Sequence, residues 1–512
     1  MASDKTIYDF LRGNTKQEHI SFHMPGHKSR GDLFARFGYD DFLNRAIKYD
    51  ITEIPGADAL YRPQSTLRSV MNNYAELYGV RHTELLVNGS SAGIIAAILA
   101  TVPVGGKLML GRNSHHSAFS ALRLGGINPV YIRPETDSRH NLSAEISPYS
   151  LEEACMANPE ASAVLITSPN YCGMLSDIAL LSDVAHEYGM TLIVDQAHGA
   201  HLRFFDYDAK ALRNEGAYVP HISHSAEALG ADVVINSTHK TLLSFTGSGI
   251  LNICGRAVDI DAVSDALRMV QTTSPSYLLM TSLDINERIM REHWREIVSD
   301  WKSDLEYFYR EASRIDGLTL VQGGGARGTG AADEDCFPLY RYREGIDISK
   351  INISMAELGL SGERLEHELR YKGIVGELVH GEYLLLMSGA GNTRGDYERL
   401  LAALRDIAAS YGISTAGAEP PRSFEAPVPE VSDVPASGEL VPLYKSEGRI
   451  VYEPIITYPP GTPIVCPGEI MSMEVISYIQ NLLEEDYRIS GVDDEGMIKV
   501  GSERVKKLTR LL

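Results

Sequence analysis

The stretch Gly230-Ala-Asp-Val-Val-Ile-Asn-Ser-Thr-His-Lys240 delivers a lysine at the end of an apolar run, with Ser237 and His239 beside it. Residues 231–235 include three β-branched side chains in a short, largely apolar segment, the pattern of a strand buried on both faces of a parallel sheet. Ligands in open α/β sheets sit outside the carboxyl ends of the strands. Ser237, Thr238, His239 and Lys240 are therefore expected to line a pocket. Lys240 can form a Schiff base with a carbonyl compound, and Ser237 and His239 can hold an anion. The plainer alternative is a solvated loop lysine, the usual fate of this residue type.

A second strand end shifts the balance. Thr191-Leu-Ile-Val-Asp195-Gln-Ala-His198-Gly-Ala-His201 places a carboxylate after an apolar run and before a loop of small residues. Such an Asp either caps the following turn or pairs with a buried cation, which in pyridoxal phosphate enzymes is the pyridinium nitrogen. Asp195 and Lys240 together point to that chemistry more strongly than either alone.

With both stretches in view the chain resembles the ornithine/lysine/arginine decarboxylases, pyridoxal-phosphate-dependent enzymes of fold type I. Further matching motifs run along almost the whole chain: Phe22-His-Met-Pro-Gly-His-Lys28, Asp50-Ile-Thr-Glu-Ile-Pro-Gly-Ala-Asp58, Asn88-Gly-Ser-Ser91, Arg112-Asn-Ser-His115, Thr273-Ser-Pro-Ser-Tyr277 and Tyr458-Pro-Pro-Gly-Thr-Pro463. The resemblance is to the compact arginine or lysine decarboxylases of Gram-positive bacteria. It implies decarboxylation of a basic amino acid, in the order arginine, lysine, ornithine. Another fold-type I reaction such as transamination, or a non-catalytic regulator, is the alternative.

The resemblance also suggests roles. Lys240 carries the cofactor, Asp195 holds its ring nitrogen, and His115 and Ala197 cover the two faces of the ring. His198 or Lys240 returns the proton to Cα. Thr273 reaches the phosphate of a neighbouring subunit, and the N-terminal arm packs across a homodimer or larger assembly. Glu453, in a unit near the entrance, is the candidate for the substrate's distal cation, with Asp50 and Glu53 as further acids. From the residues themselves, Ser90, Ser91 and Ala92 stand where an apolar helix starts after a strand, so backbone amides, hydroxyls and the helix dipole can meet a phosphate. Alone, such a turn is equally an N-cap. Gln196, Ser114, His116 and Phe245-Thr-Gly247 depart from the family's usual Glu, Cys, Lys and post-lysine run.

The fold class expected is α/β, a fold-type I transferase-like domain with a mostly parallel sheet, followed by smaller α+β units. Strands are predicted at 85–88, 107–110, 129–132, 163–168, 191–195, 231–236 and 249–253, and helices at about 277–290, 294–313 and 470–485. The divisions expected are an arm (1–60), a cofactor domain (61–290), a small α+β domain (291–415) in which no catalytic constellation stands out, a linker (416–437) and a C-terminal domain (438–512). At 512 residues several domains are required.

Composition narrows the class further. The chain is 44% hydrophobic and 22% charged, and no apolar run approaches the roughly 20 residues of a membrane span. Residues 1–20 lack a signal-peptide pattern. The formal net charge of -21 argues against nucleic acid as a partner. Cys155, Cys172, Cys254, Cys336 and Cys466 are widely spaced and odd in number, indicating neither a disulfide framework nor a zinc site. A cytoplasmic enzyme is expected.

Overall fold

The computed structural model describes residues 19–504 apart from 55–56, 138–139, 141, 215–222, 322–344, 412–428, 459–461 and 485–487. The start of the arm, the Pro55-Gly56 turn, most of the expected linker, the Pro459-Pro460-Gly461 loop and Cys336 lie outside the described residues.

Seven strands form the central sheet: β1 (His82–Leu86), β2 (Lys107–Gly111), β3 (Asn128–Ile132), β4 (Ala163–Thr167), β5 (Thr191–Asp195), β6 (Val233–Asn236) and β7 (Gly249–Ile253). Their order is β1-β7-β6-β5-β4-β2-β3, with β7 antiparallel to both of its neighbours and the remaining pairs parallel. Alternation along each strand divides the core. Leu108, Leu110, Ala163 and Leu165 face one side with α1 (Gly89–Thr101) and α2 (His116–Gly125), while Met109, Val164 and Ile166 face the other with the helices Pro148–Ala157 and Ile178–Glu187. Burying a leucine or isoleucine this fully contributes about 1.5–3 kcal/mol, which explains why these strands read as near-continuous apolar runs.

Two expectations are corrected. The first strand occupies His82–Leu86 instead of 85–88. It is an edge strand whose polar residues are satisfied sideways, Thr83 by Asn252 at 2.7 Å and Glu84 by His82 at 3.1 Å, so polarity hid it. The two helices expected at 277–290 and 294–313 are one helix, α3 (Tyr277–Ala312), in which the polar stretch 291–296 interrupts the apolar pattern without interrupting the backbone.

The small domain has a four-stranded sheet made from β8 (Thr319–Leu320), β9 (Lys350–Ser354), β10 (Leu378–His380) and β11 (Tyr383–Met387), in the order β8-β9-β11-β10. It packs with α3, α4 (Gly362–Tyr371) and α5 (Arg394–Tyr411) in one shared core. The arm is tied to it through Ile20–Ser21, which pairs in parallel with Ile374–Val375. In the C-terminal unit, α6 (Met473–Glu484) packs against two three-stranded sheets. That unit is anchored to the cofactor domain by the buried Arg112, whose guanidinium grips both oxygens of Glu469 at 2.8 and 2.9 Å. Among the described residues no helix is long and apolar enough to cross a membrane.

Candidate active site

The carboxyl ends of β2, β4, β5 and β6 meet at one edge. Thr167, Asp195 and Ile235 sit side by side in the parallel register. Asp195 is buried, accepts the Ala197 N–H at 3.1 Å and has no ion-pair partner among the described residues. A buried carboxylate left so is costly unless a cation arrives to pair with it. Among the described residues, five polar atoms along this edge are buried without a hydrogen-bond partner: Asn113 Oδ1, Ser114 Oγ, Thr167 Oγ1, His198 Nδ1 and Ser237 Oγ. Native interiors rarely strand such groups, so the cluster marks a ligand site.

Lys240 lies in a single helical turn, Thr238–Thr241, directly after β6. Burial pushes its pKa down to about 8, with Lys350 pushing the same way and Asp195 and Glu377 opposing. His198 is held well below the usual imidazole range, first by burial and then by Lys240, Lys350 and His115. His115 caps α2, its Nδ1 taking the Ser117 N–H at 3.2 Å, which fixes the orientation of its ring at this edge. Its pKa is lowered by desolvation, raised by Asp195 and lowered by Lys240.

The residues expected to hold an anion differ in burial and in partners. Ser90 is buried and Ser91 half-buried at the start of α1, and Asn88 makes no side-chain cap there. His239 Nδ1 donates to the Ser248 carbonyl at 2.6 Å, and burial lowers the ring to about 4. The neutral ring therefore offers Nε2 only as an acceptor, and it donates to an anion only if that anion draws a proton onto it. Thr273 and its neighbours are exposed. Glu453 is not brought to this edge within the subunit. Its carboxylate is shared by Arg123 at 3.3 Å and Lys499 at 2.9 Å, and Arg123 stands about two helical turns along α2 from His115.

The turn carrying Lys240 is gripped from behind. Gly26 N–H donates to the His239 carbonyl at 2.8 Å and Ala390 N–H to the Thr241 carbonyl at 2.9 Å. A Cβ on Gly26 would stand 2.4 Å from the Leu242 oxygen, and one on Gly391 would stand 2.6 Å from the carbonyl carbon of His27. Only glycine lets three backbones approach so closely.

Residues 291–415, where no constellation was expected, bring charged side chains up to this edge. Lys350, fully buried, donates to the His198 carbonyl at 3.1 Å and to Asp347 at 3.2 Å, while Asp347 also pairs with His201 at 3.0 Å. Glu377 accepts the Tyr171 hydroxyl at 3.0 Å. The second histidine of the Asp195–His201 loop was the one local hint of this layer.

The departures from the family pattern also find places. Gln196 is fully buried away from the edge, its amide donating to Glu227 at 2.9 Å and Asn236 at 3.0 Å and its oxygen accepting the Ala226 N–H at 2.8 Å. A glutamate there would face Glu227 and lose both donors. Gln196→Glu should therefore destabilise the fold by about 3 kcal/mol or more, read as a lower midpoint in denaturant unfolding. An unchanged midpoint would show that the network tolerates a second acid. Phe245 packs on His27, Phe34 and Phe42 of the arm.

Comparison with known proteins agrees with this geometry. The family model described as Orn/Lys/Arg decarboxylase, major domain, matches residues 6–321, and that family's C-terminal domain model matches 432–502. An arginine decarboxylase of Bacillus subtilis is 30% identical over 507 residues, covering 97% of this chain and 98% of the other. Among solved structures, the constitutive lysine decarboxylase of Escherichia coli superposes with a TM-score of 0.70 at 20% identity, over 97% of this chain and 81% of that one. The L-threonine transaldolase of Pseudomonas fluorescens superposes at 0.55 and 14% identity, over 80% and 88%. The fold is thus that of the fold-type I pyridoxal phosphate enzymes, as expected from the sequence.

Proposed function

The chain belongs to the Orn/Lys/Arg decarboxylase family, and we propose that it converts arginine to agmatine with pyridoxal phosphate held at Lys240. That it decarboxylates a basic amino acid follows from the family; arginine is our choice within it. One observation carries the site: a buried carboxylate with no direct ion pair among the described residues, Asp195, lies in electrostatic reach of a lysine whose pKa is down to about 8.

The residues fit the cofactor. Asp195 would face the ring nitrogen, Ser237 Oγ and the start of α1 with Ser90, Ser91 and Ala92 would take the phosphate, and His115 and Ala197 would flank the ring. When bound, the cofactor would supply an electron sink for the electron pair left on Cα as carbon dioxide departs. The remaining work falls to the chain. Burial and Lys350 keep the Lys240 nitrogen ready to lose its proton, and Asp195 keeps the positive charge inside the pocket. For proton return at Cα, Lys240 is favoured over His198. An imidazole held well below its usual range rarely carries the proton to give, whereas a lysine near 8 does so at neutral pH. His198 then serves as a neutral hydrogen-bonding group through its unpaired Nδ1.

The distal guanidinium requires an acid that prefers bidentate contact. Glu453 is already shared by two cations, and Asp50 is exposed on the arm. Exposed Ile47, Ile51 and Ile54 on that arm, with exposed Thr273, support an assembly of at least two subunits whose sites are finished by the neighbour. The test is to incubate the purified protein with arginine, lysine and ornithine, measure amine and carbon dioxide, and weigh the active species by light scattering. Agmatine should form fastest, on a dimer or larger. A preference for lysine or ornithine would move the substrate, a keto acid product would replace the reaction, and a fully active monomer would remove the shared site.

A further inference from the structure

Glu377 stands in the small domain between Ile374–Val375 and β10, half-buried, with both carboxylate oxygens engaged. Oε2 accepts the Met24 N–H at 2.9 Å, and Oε1 accepts the Tyr171 hydroxyl at 3.0 Å. The three partners belong to three separate parts of the chain: the arm, the loop after β4 and the small domain. The parallel pairing of Ile20–Ser21 with Ile374–Val375 sets the register that brings Met24 to Glu377. On the far side, the Tyr171 ring lies 4.7 Å from the His198 ring at 53°.

No lysine or arginine pairs with Glu377 among the described residues. The neighbouring half-buried Lys28 instead donates from Nζ to two backbone carbonyls, His23 at 2.6 Å and Met387 at 2.9 Å. A latch that served packing alone would be cheaper with a paired or neutral side chain, because a partly buried carboxylate without a counter-charge is penalised. Its field falls on Lys28, His23 and Lys240.

We propose that Glu377 is a positioning residue for the decarboxylation, joining the arm, the 168–173 loop and the small domain into one wall and, through Tyr171, seating the His198 ring beside Lys240. The proposal rests on the reading of Lys240 as the cofactor-bearing residue. Around Lys240 the groups that set its proton affinity are Asp195 and Glu377, which favour the ammonium, and Lys350, which disfavours it, with His115 and His198 close by. Around Glu377 they are Tyr171, Lys28, His23 and Lys240. Removing the Glu377 charge must therefore lower the pH at which Lys240 loses its proton, whereas removing only the Tyr171 hydroxyl must not.

The experiment uses the full chain as Glu377→Gln, Glu377→Asp and Tyr171→Phe. One readout is the pH midpoint at which Lys240 of the cofactor-free protein reacts with an amine-selective reagent, located by peptide mapping. The other is kcat and KM for the best of the three amino acids. Glu377→Gln should move the midpoint to lower pH and reduce kcat roughly 10- to 100-fold with little change in KM. Glu377→Asp should restore the midpoint. Tyr171→Phe should leave the midpoint alone and still reduce kcat about tenfold. A Glu377→Gln midpoint equal to the parent's, or a Tyr171→Phe enzyme with parental kcat, would overturn the inference. A parent that never loads cofactor on Lys240 would instead overturn the functional reading, with the midpoint shift still readable. If Glu377→Gln fails to fold, Tyr171→Phe alone decides, since it deletes one oxygen and leaves the Met24 contact in place.

Discussion

Lys240→Ala should abolish turnover, lowering kcat by roughly 10⁵-fold or more, because one side chain both anchors the cofactor and moves the proton. The microenvironment suits this lysine to the task, and its place at the carboxyl end of β6 beside Asp195 distinguishes it from Lys28, whose pKa is also lowered. With a pKa near 8, about a tenth of its amines are free at pH 7, against roughly one in three thousand for an ordinary lysine. The loss should be chemical and not structural, since the side chain makes no hydrogen bond or ion pair among the described residues and its removal relieves desolvation. Borohydride reduction of the parent followed by peptide mapping should find the cofactor label on Lys240. A label on a different lysine, or an alanine variant that still turns over, would remove the assignment.

Asp195→Asn should separate stability from function with opposite signs. The amide oxygen can still accept the Ala197 N–H, so the local turn survives, and a buried carboxylate without a cation disappears. The cofactor-free variant should unfold at the same temperature as the parent or a higher one. Turnover should nevertheless fall on the order of 10³-fold, about 4 kcal/mol in the barrier, because a neutral amide cannot hold a positive ring nitrogen. Ser237 and the start of α1 should still retain part of the bound cofactor. Full activity with a lowered unfolding temperature would mean that Asp195 is a structural cap.

Much of the sheet and of its active edge was legible because parallel strands buried on both faces write themselves as apolar runs. Wherever such a run stops at a charged or hydroxyl residue, at Asp195, Ser237 or Asn113-Ser114-His115, the stop is the edge. The first strand was misplaced because Thr83 and Glu84 find partners sideways, and α3 was split because a polar face resembles a break. Asp347, Lys350 and Glu377 were illegible for a different reason. Each acts on a group more than a hundred residues away, Asp347 on the His201 ring, Lys350 on the His198 carbonyl and Glu377 on Lys240, and no local spacing encodes such a meeting. Glu453 could be proposed as a substrate acid because a sequence does not show that Arg123 and Lys499 already share it.

The grip of Gly26 and Ala390 on the Lys240 turn, with Gly391 packed against the arm backbone at Gly26 and His27, bears on recombination between relatives. Crossovers are usually sought at domain boundaries, where few contacts are cut. Here the lysine-bearing turn is completed by backbone from the arm and from the small domain, at spacings that admit no side chain. Segments around 26, 240 and 390 must therefore be inherited from one parent even though more than three hundred residues separate the outermost two. A chimera that exchanges the small domain as a whole brings a foreign surface against the Lys240 turn, whereas one that exchanges the C-terminal unit cuts elsewhere, at the Arg112–Glu469 anchor. Exchange of the C-terminal unit is therefore expected to be the better tolerated of the two.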